Sequence, residues 1–83
     1  MENNKPVEKI RAGNVTATIW KNTNKSKDGK EYDFYSVSIE RNFKNDKDEW
    51  KSTNSFMKND LPKVELVTRK AFEFLALSDA DSE

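Results

Sequence analysis

Three stretches of the chain alternate between apolar and polar residues, and one stretch with helical periodicity follows them. In residues 15–20, Val15, Ala17 and Ile19 share one side of an extended chain and Trp20 lies on the other. This period of two, with β-branched residues in the majority, is typical of a strand. The order of the patterns predicts an α+β chain, with a curved antiparallel sheet of three to four strands before one C-terminal helix.

The second alternating stretch, YDFYSVSIERNF, predicts a strand with Tyr35, Val37 and Ile39 on one face and Phe34 on the other. The charged segment KNDKDE predicts a hairpin turn, and WKSTNSFM after it predicts a third strand. A short lead-in strand in EKIRA, separated from the next strand by a bulge at Gly13, would make a fourth. The predicted order is therefore β-β-β-α or β-β-β-β-α.

The helix is predicted in NDLPKVELVTRKAFEFLAL, where Asp60 or Asn59 can cap it and Pro62 fits only the first turn. Its apolar residues span an arc of roughly 200°, which is wider than one sheet covers. Because a chain of 83 residues gains much from sharing a core, this excess predicts a homodimer with helices at the interface. The residues predicted at that interface are Val64, Val67, Ala71, Phe74 and Leu75. The alternative is an unusually apolar helix partly covered by the N-terminal arm.

Two absences limit the chemistry that the chain supports. It has no cysteine for disulfides or thiolate metal sites, and no histidine, the commonest general base and zinc ligand. Asp46, Asp48 and Glu49 resemble a metal cluster, but the stretch lacks the glycine and the distal glutamate of a calcium loop. With only two glycines, the chain has no glycine-rich loop for binding phosphate. We therefore expect no enzyme activity, no metal, no cofactor and no small-molecule substrate.

The first residues, MENNKPVEKI, have no apolar core typical of a signal peptide, and no apolar run approaches the ~20 residues of a membrane span. These features predict a cytoplasmic protein without a membrane partner. The expected organisation is one domain over residues 8–78, with flexible termini at 1–7 and 79–83.

The net charge of zero conceals an uneven distribution. Residues 9–70 carry 14 Lys and Arg against nine Asp and Glu, which is a net charge of +5, whereas residues 71–83 carry four acids and no base. A basic body with an acidic tail is typical of a protein that binds a polyanion. Ordinary solubilising charge is the alternative interpretation.

Aromatic residues next to basic ones recur at three predicted strand ends, in IWKN, ERNFKN and EWK, and the first loop adds further lysines. A single nucleic-acid strand is bound by a positive groove and by aromatic rings on which bases stack, so this recurrence predicts such binding. The assigned residues are Trp20, Lys21, Lys25, Lys27, Lys30, Phe34, Arg41, Phe43, Lys44, Trp50 and Lys51. For Trp20 and Phe34 the alternative is a cross-strand pair that stabilises an exposed face.

The segments IRAGNVTATIW, YSVSIERNF and SFMKNDLP, in this order, give the chain a family resemblance. Over about residues 8–78 it resembles the transcriptional coactivator (positive cofactor four) family of single-stranded-DNA-binding proteins and its small prokaryotic and phage relatives. RAGN, IW and FYSV also look like a group of small prokaryotic proteins. The resemblance implies a symmetric dimer with DNA-binding channels on curved sheets and paired helices behind them.

Carried over by position, the resemblance places Phe43 where the family has a base-stacking tryptophan and Arg41 near its strand arginine. Lys21, Lys25 and Lys27 fall in or beside its first basic loop. Glu40 and the acidic turn at residues 46–49 depart from the family pattern, so we expect modest, salt-sensitive binding.

The sequence thus predicts a sequence-tolerant binder of single-stranded DNA, with RNA as a second candidate ligand. It would act in replication, repair or transcription. The alternative is a protein-interaction module that uses the free sheet face or the apolar helix.

Overall fold

The computed structural model describes the backbone of residues 5–81 and the side chains of residues 5–77. Four strands and one helix follow each other, with a 3₁₀ turn at Lys58–Asp60 before the helix. The elements are β1 (Lys5–Ala12), β2 (Val15–Lys25), β3 (Glu31–Lys44), β4 (Trp50–Thr53) and α1 (Leu61–Asp81). The predicted α+β order is confirmed in its four-strand form.

The strands form one antiparallel sheet in the order β1-β2-β3-β4, so each strand pairs with its neighbour in sequence. The β2–β3 hairpin sets the register, with Ala17 opposite Ile39 and Lys25 opposite Glu31. Gly13 has a φ of +62° and belongs to a tight turn between β1 and β2, rather than to the predicted bulge. The irregularity in β1 lies instead between Pro6 and Glu8.

Both ends of the ordered domain extend beyond the predicted limits of residues 8 and 78. β1 begins at Lys5, so residues 5–7 belong to the sheet because they pair along β2. The helix continues to Asp81. The remaining predicted flexible residues, 1–4 and 82–83, lie outside the described part.

The core lies between α1 and one face of β1 and β2. Val15, Ala17 and Ile19, the alternating residues of β2, are buried together with Val67 and Ala71 of the helix. The larger of these buried side chains, Val15, Ile19 and Val67, each contribute about 1.5–3 kcal/mol. The side of the sheet that faces α1 is thus fixed by the apolar residues of β2.

The entry into the helix is held by a buried carboxylate. An Asp60 carboxylate oxygen, Oδ2, accepts a hydrogen bond from the backbone N–H of Met57 (2.8 Å) and lies 3.1 Å from Arg41 Nε. Arg41 Nε also donates to the carbonyl oxygen of Ser55 at 3.2 Å. These contacts tie the chain after β4 to β3, and β4 ends at Thr53 instead of continuing to residue 57 as predicted.

The β2–β3 hairpin extends beyond the described part of β1, which reaches along β2 only to Lys21. Residues 22–25 and 31–34 form this extension, and residues 26–30 turn at its tip. The protein is accordingly elongated, with extents of 50 × 27 × 16 Å. Within residues 5–81, no helix combines the length and the apolar character needed to cross a membrane.

Candidate nucleic-acid interface

The side of the sheet opposite α1 has no helix over it in the described part of the chain, and we call it the open face. Since paired residues share a side, the register places the even-numbered residues of β2 and β3 here. Cross-strand partners add residues from the outer strands. The aromatic residues of the open face are Trp20, Tyr32, Phe34 and Trp50, and its basic residues are Lys9, Arg11 and Lys44.

Three of these aromatic rings are accessible to a ligand. Trp50 is 66% exposed, and the Lys44 ammonium lies 5.4 Å from its ring centroid. Phe34 is 42% exposed and its ring centroid lies 6.2 Å from that of Tyr32, with the rings tilted by 37°. Trp20 is half-buried, and its indole N–H donates to the Ser38 hydroxyl at 3.0 Å. The open face therefore carries one aromatic group near each end.

Polar side chains fill the region between the aromatic groups. The Asn22 amide donates to the Ser36 hydroxyl at 3.1 Å, and Trp20 donates to Ser38, so hydrogen bonds link β2 to β3 across the face. Hydroxyl groups of this kind also bind phosphate oxygens. Three cations face one acid, Glu40, on these strands, which leaves the open face positive.

Arg41 and Phe43, two predicted binding residues, lie on the side of the sheet that faces the helix. Arg41 is opposite the core residue Val15 and forms an ion pair with Asp60. Its guanidinium carbon lies 5.6 Å from the centroid of the Phe43 ring. β3 keeps its register up to Lys44, so Arg41 stays on the helix side. There the Asp60 carboxylate compensates the charge of its guanidinium. Both residues are therefore removed from the open face.

Lys21 and Lys51 also lie on the helix side, by their register with Tyr35 and Phe43. The Lys21 ammonium is 3.5 Å from an Asp33 carboxylate oxygen, and that of Lys51 is 3.8 Å from Glu49. Such exposed pairs contribute little to stability. Both lysines nevertheless lie on the opposite side of the sheet from the aromatic residues of the open face.

Lys25, Lys27 and Lys30 are exposed at the tip of the β2–β3 hairpin. The turn is held by Asp28, whose Oδ1 accepts a hydrogen bond from the Ser26 hydroxyl and one from the backbone N–H of Lys30. These bonds lower the pKa of the Asp28 carboxyl below its ordinary value. The turn is therefore stabilised at neutral pH, and this stabilisation is lost as the pH falls through the lowered pKa.

The predicted dimer residues divide between the core and the surface. Val67 and Ala71 are buried against the sheet of their own chain, so a single chain leaves neither side chain exposed to a second copy. Val64 and Leu75 are half-buried beside the core, and Phe74 is partly exposed. The exposed apolar side chains of α1 are Leu61, Leu66, Phe72 and Leu77.

Sequence reasoning missed three residues of the open face. Tyr32 has the parity of Phe34, and Lys9 and Arg11 alternate with Ile10 and Ala12. The period of two in EKIRA could have revealed the two cations.

No group of three acidic side chains in the described part of the chain is arranged to hold a metal ion. In the acidic turn, Asp48 lies 3.4 Å from the Lys44 ammonium, and a Glu49 carboxylate oxygen accepts a hydrogen bond from the Asn45 amide at 3.2 Å.

No family model, curated protein or solved structure matches the chain. Membership of the coactivator family stays a prediction. The function has to be inferred from the geometry of the chain itself.

Proposed function

We propose that the protein binds single-stranded nucleic acid, DNA in the first instance, on the open face of its sheet. The observation that carries this proposal is the combination of exposed Trp50 and Phe34 with cations on a face that α1 does not cover. Aromatic rings stack with any base and cations attract the backbone, so binding is tolerant of sequence.

The two aromatic groups define the length of the site. Phe34 and Lys44, the neighbour of Trp50, lie ten residues apart on β3, which corresponds to about 33 Å along a strand. Bases stack on the rings at both ends, and the backbone crosses the hydroxyl and amide groups between them. An oligonucleotide that reaches only one end gains only part of the affinity.

The proposal includes a dimer, supported by apolar surface that a single chain leaves exposed. Phe72 is 69% exposed, and Leu66 and Leu77 are exposed on the same helix. Docking of another protein on this helix is the competing interpretation. A monomeric mass at high protein concentration, measured by light scattering, would contradict the dimer.

Fluorescence anisotropy of labelled oligo-dT tests the binding, with a short and a longer oligonucleotide at two salt concentrations. We expect the longer one to bind more tightly and both affinities to fall as salt rises. Labelled oligo-rU measures the preference between DNA and RNA. The absence of binding at low salt and micromolar protein would refute the proposed function.

A further inference from the structure

One long sheet edge is left without a partner strand by the described part of the chain. β4 pairs with β3 only between Arg41 and Lys44, whereas β3 begins at Glu31. Residues 31–40 thus have β2 on one side only, and we call their other side the β3 edge.

The backbone groups that point outward from the β3 edge can be identified. The backbone N–H of Asn42 donates to the carbonyl of Asn14 at 2.8 Å, on the β2 side. Because successive residues of an antiparallel strand point to alternate sides, even-numbered residues of β3 bond to β2. The N–H and C=O groups of Tyr35, Val37 and Ile39 therefore point to the β3 edge.

The two outer edges of the sheet differ in their protection. The β1 edge has Pro6, a bulge and the charged side chains of Lys5, Glu8 and Lys9, which are the usual obstacles to strand pairing. The β3 edge presents FYSVSI at residues 34–39, which contains neither a charge nor a proline. Tyr35 and Val37 are 45% and 39% exposed. An unprotected edge of this composition pairs readily with another strand.

We propose that the β3 edge pairs antiparallel with the β3 edge of a second copy of this chain. The inference rests on the dimer included in the proposed function, but not on nucleic-acid binding. β4 closes the edge at Arg41 and the strand starts at Glu31, and a nine-residue pairing centred on Ser36 fits between these two limits. This register aligns residues 32–40 of the two copies and places Tyr35 of each opposite Val37 of the other.

The same arrangement brings the exposed Tyr35 and Val37 of both copies together on the helix side of the sheet. A twofold axis perpendicular to the sheet keeps both helices on one side and both open faces on the other. Tyr35 and Val37 of both copies then form an apolar surface between the two helices. The open faces join into one surface, with Trp20 and Phe34 of both copies near its centre.

Cross-linking through introduced cysteines tests the pairing, because the chain has no cysteine of its own. Ser36 lies at a position without hydrogen bonds across the seam, where Cα atoms approach to about 4.5 Å, within the range of a disulfide. We expect Ser36→Cys to form a covalent dimer under mild oxidation, and the control Lys9→Cys on the β1 edge to remain monomeric on a non-reducing gel. A monomeric Ser36→Cys, or equal cross-linking of the control, would overturn the proposal.

Val37→Pro provides a second test without a cysteine. It removes an N–H that points to the β3 edge and leaves the bonds to β2 intact, so circular dichroism should be unchanged while the dimer fraction in light scattering falls at least several-fold. A folded variant with an unchanged dimer fraction would contradict the pairing. Oligo-dT anisotropy on the wild-type protein separates the two proposals. Binding of oligo-dT together with a Ser36→Cys variant that does not cross-link would refute the β3-edge pairing and leave the proposed nucleic-acid binding intact.

Discussion

Phe43 and Trp50 flank the same turn but lie on opposite faces of the sheet. Trp50 is opposite Lys44 and shares the open face, whereas Phe43 is opposite Lys51 and faces the helix side. Asp48, with a φ of +66°, takes the left-handed conformation that closes the turn in this register. At the residue scale, this pairing decides which aromatic ring can meet a ligand.

Replacing Trp50 by alanine should weaken oligo-dT binding by ~1–3 kcal/mol, because a stacking platform is lost. Phe43→Ala is the matched control, since it removes a ring next to the same turn on the other face. The anisotropy titration of both variants measures the difference. An equal loss in both variants would contradict the assignment of the open face.

Asp60→Ala should lower the free energy of unfolding by roughly 2 kcal/mol, which chemical denaturation measures. The variant loses the bond from the Met57 N–H and leaves Arg41 without its buried partner. Its control is Glu73→Ala, which removes an exposed pair with Lys70 and should change stability by less than about 1 kcal/mol. Similar losses in the two variants would exclude the role of Asp60 in fixing the helix entry.

At the scale of the elements, the period of two and the helical period predicted the order of the strands and the helix. β2 illustrates why, since Val15, Ala17 and Ile19 alternate strictly and all reach the core. The end of β4 and the side taken by Arg41 were missed because both depend on Asp60, which is remote in sequence. The candidate site was predicted in part, with Trp20, Phe34, Lys44 and Trp50 on the open face.

The helix should show one stabilising side and one dispensable side. Val67→Ala removes a fully buried side chain, so we expect a loss of roughly 2 kcal/mol in unfolding free energy. Leu66→Ala, on the exposed side of the helix, should lower the unfolding free energy much less, provided that the protein concentration is low enough to keep the chain monomeric. Equal losses in the two denaturation curves would contradict the observed packing of α1.

At the scale of the whole molecule, the zero net charge gives no indication of the positive open face. Lys9, Arg11 and Lys44 share this face, where Lys44 also pairs with Asp48 of the turn, while Lys21 and Arg41 form ion pairs on the other face. Three phosphate contacts predict a slope of about −2 per protomer for the logarithm of the oligo-dT binding constant against that of the salt concentration. A slope near zero would contradict contacts between these cations and the phosphates of the oligonucleotide.

Both tryptophans of the chain, Trp20 and Trp50, lie on the open face, so their intrinsic fluorescence reports directly on that surface. The most direct test of the central claim is a titration of the wild-type protein with unlabelled oligo-dT, followed by tryptophan emission. The account predicts a saturable change in emission that added salt reverses. Emission that stays constant while anisotropy of labelled oligo-dT shows binding would contradict a site on the open face.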